Sequence, residues 1–378
     1  MNKVDKSILL KNKFDIMNNS VSLISILFAI LIILFHSYPL FYGMNVIGPV
    51  SKVLRPYNIG KIVVCAFFFI SGFMISKSIK KSKTINDYMK KRIKKIFPGL
   101  IAVLLITVFV IAPIVSSLQK GVFLRNPELY LKYLFDNILL YKNTVYSIDT
   151  VFIDNAYPNA INGSLWSIKH TFFSYIVFIP VYVYILKNKK SNRSFMFFYL
   201  IFFVMYSLSN FGLLNDYHDF IGKYFGDIGV FNENKLFIEN LFFFFTGVLY
   251  DLFSDKIYIK SSYFLISIIT YIILLKTPLS IFAFQIAFPY IIMYLMCLKT
   301  RFKAKDISYY IYLFGFMIQQ TIYHYLKEYN LFIFMILSIV ITIIFAILLN
   351  IFINKTNKLI KNVKLKEVKK VWNLMLYL

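Results

Sequence analysis

Apolar runs of about 18–23 residues recur along the whole of this chain, each long enough to cross a hydrocarbon core ~30 Å thick. They fall near residues 21–39, 60–79, 97–118, 165–186, 195–213, 236–254, 258–275, 278–298, 307–326 and 331–354. In lipid the backbone must satisfy its own hydrogen bonds, so runs of this length are helices. The sequence therefore predicts an all-α polytopic membrane protein of ten transmembrane helices. A short segment at 1–20 precedes the membrane domain at 21–354, and a basic tail follows at 355–378. Composition agrees, with 59% hydrophobic residues and a mean hydropathy of +0.68, far from the soluble range.

The net charge is +25, from 42 basic and 17 acidic residues. In a soluble protein that excess would suggest nucleic acid, but here it follows topology, and membrane lipids are the expected partner. Basic residues crowd Lys3–Lys13, Lys77–Lys95, Lys187–Arg193, Lys256–Lys260, Lys299–Lys305 and Lys355–Lys370, which are alternate connecting segments. By the positive-inside rule these segments and both termini are cytoplasmic, as an even number of spans requires. The expected location is the plasma (inner) membrane of a bacterium, with Val21–Pro39 a retained span and not a signal peptide.

Cys65 and Cys297 both fall inside apolar runs, so neither a disulfide nor a zinc site is expected. Two longer outer loops, near 119–163 and 214–235, hold eight of the 17 acidic residues, including Glu128, Asp149 and Glu233. Within the first, Leu129–Leu140 reads as an amphipathic surface helix. The tail alternates basic residues with Leu359, Val363, Val368, Trp372 and Met375, a spacing that suits an interfacial amphipathic helix.

Few residues in such a chain can carry chemistry. His36 lies near the outer end of the first run, and an imidazole is the natural general base near neutral pH. Interfacial placement at headgroup level is its bland alternative. Arg92, Lys95 and Pro98 form a basic-xx-basic-xx-Pro segment at the entry to the third run. Topological charge with a proline in the first turn of a helix explains it, and so does a phosphate site helped by the helix dipole. Ser71-Gly72 reads as a close-packing point between helices. The polar stretch Asp154–Gly163 runs into an apolar helix at Leu165, with Asn162-Gly163 as a turn dipeptide and Ser164 as the helix cap. It holds Trp166 at the mouth of a span. Gln319 and Gln320 lie within the ninth run and need partners inside the bundle. His170, His218 and His324 read as incidental. No Gly-rich phosphate loop, HExxH helix or GxSxG elbow is present.

Five segments together resemble the acyltransferase 3 family of bacterial membrane acyltransferases. They are Leu31–Pro39 with its histidine, Phe67–Ile75 ("FFxxSGFxI"), Arg92–Pro98 ("RxxRxxP"), Asn162–Ser167 ("NGSLWT/S") and Asp306–Gln320 ("DxSYGxY…Q"). They occur in order across nearly the whole chain. The resemblance implies transfer of an acyl group, usually acetyl, from cytoplasmic acyl-coenzyme A to a hydroxyl of a cell-envelope glycan or lipid-linked sugar. Acyl-coenzyme A enters as co-substrate, with no bound cofactor or metal. On this reading His36 is the catalytic histidine, Arg92 and Lys95 contact the coenzyme, and Asn162, Ser164, Trp166 and Gln319 belong to the acceptor site.

The chain departs from the family pattern at four positions. Ser25 stands where an arginine is usual and Thr171 where a glutamate is usual; Lys95 replaces a second arginine and Tyr310 a glycine. Losing both members of an ion pair can be nearly neutral for stability, whereas losing one is not. The absent pair is expected to have faced each other near the histidine. Other readings of the chain are a catalytically weakened relative kept for binding or assembly, and a transporter or glycan polymerase of similar polytopic form.

Overall fold

The computed structural model describes residues 8–116, 126–148, 150–187, 191–300, 305–327 and 330–376. Lys3, Lys6, Asp149, Lys189, Lys190, Arg301 and Lys303 lie outside them, as do the tail side chains beyond Leu359. Among the described residues the chain is helical and forms no strand; Leu9 and Tyr258 make an isolated bridge.

A helix overlies each of the ten apolar runs. In chain order the main helices are α1 (Val21–Tyr42), α2 (Ile59–Lys80), α3 (Ile85–Ile106), α4 (Pro127–Leu139), α5 (Leu165–Pro180) and α6 (Ser191–Asn210). They continue as α7 (Asn215–Phe225), α8 (Asn234–Leu252), α9 (Ser261–Leu274), α10 (Ser280–Met296), α11 (Ser308–Tyr325) and α12 (Leu331–Leu376). Among the described residues five helices are long and apolar enough to cross a membrane: α1, α2, α3 extended to Val115, α5 extended to Leu186, and the first part of α12. The α6–α7 pair, bent by 102°, makes a sixth if it is one span. The α9 and α10 helices are apolar but shorter.

The centre of the bundle is α1, α2, α8 and α11. The α2–α8 crossing is glycine-mediated: a Cβ at Gly72 would sit 1.9 Å from the Phe244 carbonyl oxygen, and one at Gly247 2.1 Å from that of Phe69. No side chain fits there, as expected for small residues at a membrane-helix interface. Around this crossing, Phe242, Phe243, Phe244 and Phe245 are fully buried and stack on rings of α6, α10 and their own helix. By contrast, α9 buries none of its residues.

Several local expectations change. The α3 helix begins at Ile85, capped by Thr84, whose side chain accepts from the Asp87 N–H. Pro98 is therefore inside the helix and not in its first turn. Arg92 and Lys95 stand well beyond the orphan N–H groups of the first turn, so the helix terminus adds nothing to an anion site there. The 214–235 loop is largely helical, and the Leu129–Leu140 stretch forms α4, which buries Tyr130, Tyr133, Leu134 and Asn137. The helix α12 continues from the last apolar run into the basic tail.

Candidate active site

His36 stands on α1, half-buried, with its ring edge-on to Phe316 of α11 at 5.1 Å between centroids. Its Nδ1 is buried without a hydrogen-bond partner. The ring lines a cavity of about 290 Å³ between α1, α2, α8 and the start of α5. Facing it are Asn58, Lys61, Cys65, Trp166, Glu239 and Asn240. Within this cavity Lys61 Nζ lies 2.8 Å from Glu239 Oε2, and the Cys65 thiol donates to Glu239 Oε1 at 3.2 Å.

Arg92 and Lys95 line a second cavity of about 310 Å³, together with Ser25, Ser71, Thr171, Tyr175, Asp306 and Tyr309. The Arg92 guanidinium lies 5.7 and 5.8 Å from the ring centroids of Tyr88 and Tyr175. It donates to Ser78 Oγ at 3.1 Å, while its Nε is buried without a partner. Lys95 is exposed. Val64 and Tyr312 line both cavities, so the two meet there. At that wall the Tyr312 hydroxyl hydrogen-bonds Ser167 Oγ at 2.6 Å.

The loop before α5 is fastened to α11 by amides. Asn162 Nδ2 donates to the Leu313 carbonyl at 2.8 Å, and Asn155 Nδ2 to Gln320 Oε1 at 2.7 Å. Gln320 Nε2 in turn donates to the Tyr157 and Ala160 carbonyls, both at 2.7 Å. Gly163 is required for close approach, since a Cβ would lie 2.7 Å from the Phe316 ring that packs on His36. Ser164 does not cap α5: its φ and ψ of −84° and −12° are already helical, and its Oγ is buried without a partner. The Asn162 side chain accepts from the Ser164 N–H instead, at 3.1 Å.

Gln319 braces the histidine's helix and does not line the cavity. Its Nε2 donates to the Ile33 carbonyl and to Ser37 Oγ, both at 2.9 Å, next to His36. Of the residues expected at the acceptor site, Trp166 lines the His36 cavity, whereas Asn162 and Ser164 lie buried behind it. Ser25 and Thr171 both line the Arg92 cavity, so the pair absent from this chain belongs there and not beside His36.

Lys61, Glu239 and Asn240 were not among the expected residues. The available signal was Glu239 itself, an ionisable residue inside an apolar run. A second buried cluster lies behind Trp166. His170 Nδ1 meets Asn240 Nδ2 at 2.9 Å and its Nε2 meets Glu233 Oε2 at 3.2 Å; Lys169 Nζ is 3.8 Å from the same oxygen. His170 is thus a buried strut. His218 bonds Ser209 and Asn234, and His324 bonds Asn155; neither lines either cavity.

The "O-acetyl transferase" of Shigella phage Sf6 is 31% identical over 166 residues, which are 42% of this chain and 44% of that protein. The chain thus spans less than half the length of that curated relative. No solved structure matches. The sequence profile of the acyltransferase 3 family, described as an acyltransferase domain, matches residues 18–351, which include every residue of both cavities except Ile16. This chain belongs to the acyltransferase 3 family.

Proposed function

We propose that this protein is a membrane O-acyltransferase that moves an acetyl group from acetyl-coenzyme A to a hydroxyl of a cell-envelope polysaccharide or lipid-linked sugar. All ten helices cross the plasma membrane, and both termini are cytoplasmic. The observation that carries the reading is the meeting of two cavities at Val64 and Tyr312, one holding a base and the other two cations. Arg92 and Lys95 suit a phosphorylated donor, because cationic side chains bind phosphate through charge-assisted hydrogen bonds. Their segment carries the densest basic run in the chain, which puts the Arg92 cavity on the cytoplasmic side.

His36 then serves the acceptor. Its imidazole takes the proton of the attacking hydroxyl as the oxygen adds to the thioester carbonyl. The carbon–sulfur bond breaks, and the proton passes to the departing thiolate, so the histidine is regenerated. The chain's other site residues position these groups: Gln319 fixes the turn of α1 that bears His36, and Gly163 admits the Phe316 ring against it.

The test is reconstitution in liposomes with acetyl-coenzyme A and the surface glycan. Release of free coenzyme A thiol should depend on the glycan, and mass spectrometry should show an acetyl-sized gain on it. Neither thiol release nor a mass gain, with protein inserted and acetyl-coenzyme A intact, would overturn the assignment.

A further inference from the structure

The His36 cavity carries an ion pair that the acyl-transfer chemistry does not use. Glu239 is 5% exposed on α8, and Lys61 reaches it from α2. Removing two charges from water is expensive, and replacing such a pair by apolar side chains is often neutral or stabilising. Helix packing gives no reason to keep it. The same two helices are already in backbone contact through Gly72 and Gly247.

The pair's surroundings supply a reason. Lys61 retains 27% side-chain exposure, against 7% for Glu239. A carboxylate has about four acceptor sites, of which Lys61 and Cys65 occupy two. Asn240 gives its amide nitrogen to His170, leaving its carbonyl oxygen for another donor. Trp166 adds an aromatic face, and His36 stands across the same space. Convergent carboxylate, ammonium and amide groups beside an indole are what a polyhydroxyl ring needs. An apolar cavity with a few fixed polar groups is the usual form of a small-molecule site.

Charge narrows the ligand further. Lys61 is the only Lys or Arg lining this cavity among the described residues, and Glu239 already neutralises it. An anionic sugar would meet the carboxylate with no cation left to receive it.

We propose that Glu239, Lys61 and Asn240 form the acceptor subsite, binding the vicinal hydroxyls of an uncharged pyranose so that another hydroxyl of that ring faces His36. This rests on the O-acyltransferase reading and specifies its acceptor. Ligand binding can be read without turnover. The chain has two tryptophans, so in a Trp372→Phe background Trp166 alone reports by fluorescence on the cavity it lines. The probes are methyl glucopyranoside and methyl glucuronoside, titrated into the full chain in detergent, with acetyl-coenzyme A binding measured in parallel.

The neutral glycoside should quench Trp166 saturably and bind at least tenfold more tightly than the uronate. Glu239→Gln and Lys61→Met should each weaken it tenfold or more while acetyl-coenzyme A binding stays unchanged. Neutral-glycoside affinity equal to the parent's in Glu239→Gln overturns the subsite. So does a uronate that binds as well as the neutral ring, or a parent that shows no saturable quench. Loss of acetyl-coenzyme A binding together with glycoside binding would make the pair structural, which also overturns it. Failure of the enzymatic reading looks different: glycoside binds as described, yet acetyl-coenzyme A acetylates nothing.

Discussion

At the scale of single residues, the two cations of the second cavity are unequal. Arg92 lies near the rings of Tyr88 and Tyr175 and is bonded to Ser78, whereas Lys95 is exposed. A planar guanidinium held by a hydrogen bond beside two aromatic rings is pre-organised in a way an exposed ammonium is not. Arg92→Ala should therefore raise the acetyl-coenzyme A Kd by about tenfold, the 1.4 kcal/mol that one charge-assisted contact supplies. Arg92→Lys should rescue little, and Lys95→Ala should matter less. Equal donor affinity in all three would reduce both residues to topological charge.

At the scale of elements, two joints decide whether the bundle closes. The first is the α2–α8 crossing, where Gly72→Ala would place a methyl 1.9 Å from backbone. Backbone cannot swing aside as a side chain can, so the helices must separate. The cost is about 3 kcal/mol, the upper part of the overpacking range. A thermal melt in detergent should show a clear drop, and an unchanged midpoint would mean the crossing is looser than drawn. The second joint is Glu233, between α7 and α8, holding His170 and Lys169 of α5. Burial by itself would raise this carboxyl, but the facing His170 and Lys169 hold it below the ordinary carboxylate range.

A carboxyl depressed in the folded state stabilises above its unfolded pKa, and that stability is lost as pH falls through the lower folded value. Glu233→Gln should thus lower the melting point at pH 7, by less than the roughly 3–5 kcal/mol of a fully buried pair because the Glu233 side chain is 25% exposed. Below about pH 4 the ordinary glutamate range is passed and the gap to the parent should close. A pH-independent gap would show that Glu233 acts by packing.

These joints also show what the sequence could reveal. Gly72 and the two glutamines were legible, because small or amide residues in an apolar run have few other uses. The acyltransferase signature singled out His36, Arg92 and Trp166, which line the two cavities. Glu239 meeting Lys61, and Thr171 lying in the opposite cavity from His36, depend on how distant helices rotate about their axes. No local periodicity records that rotation. Ser164 misled for a local reason: a capping residue must sit outside helical φ and ψ, and here the helical conformation begins one residue early.

At the scale of the whole molecule, hydropathy read ten crossings, and helices occupy all ten runs. Only five pass on length and apolarity alone, with a sixth if the bent pair is one span. The difference lies partly where function would place it. The α8 and α11 helices carry Glu239, Asp251, Gln319 and Gln320 into the bundle, and those polar residues reduce the helices' hydropathy. This central pair of helices carries its polar residues inside the bundle. The proposed transfer rests on His36, which lines one of the two cavities. The decisive measurement is acetyl transfer to the glycan in liposomes by His36→Ala and parent protein, at matched insertion and matched acetyl-coenzyme A binding. Removing a general base should slow transfer by roughly 10²–10⁴ with donor binding intact. Transfer at the parent's rate by the alanine variant would contradict the assignment of His36.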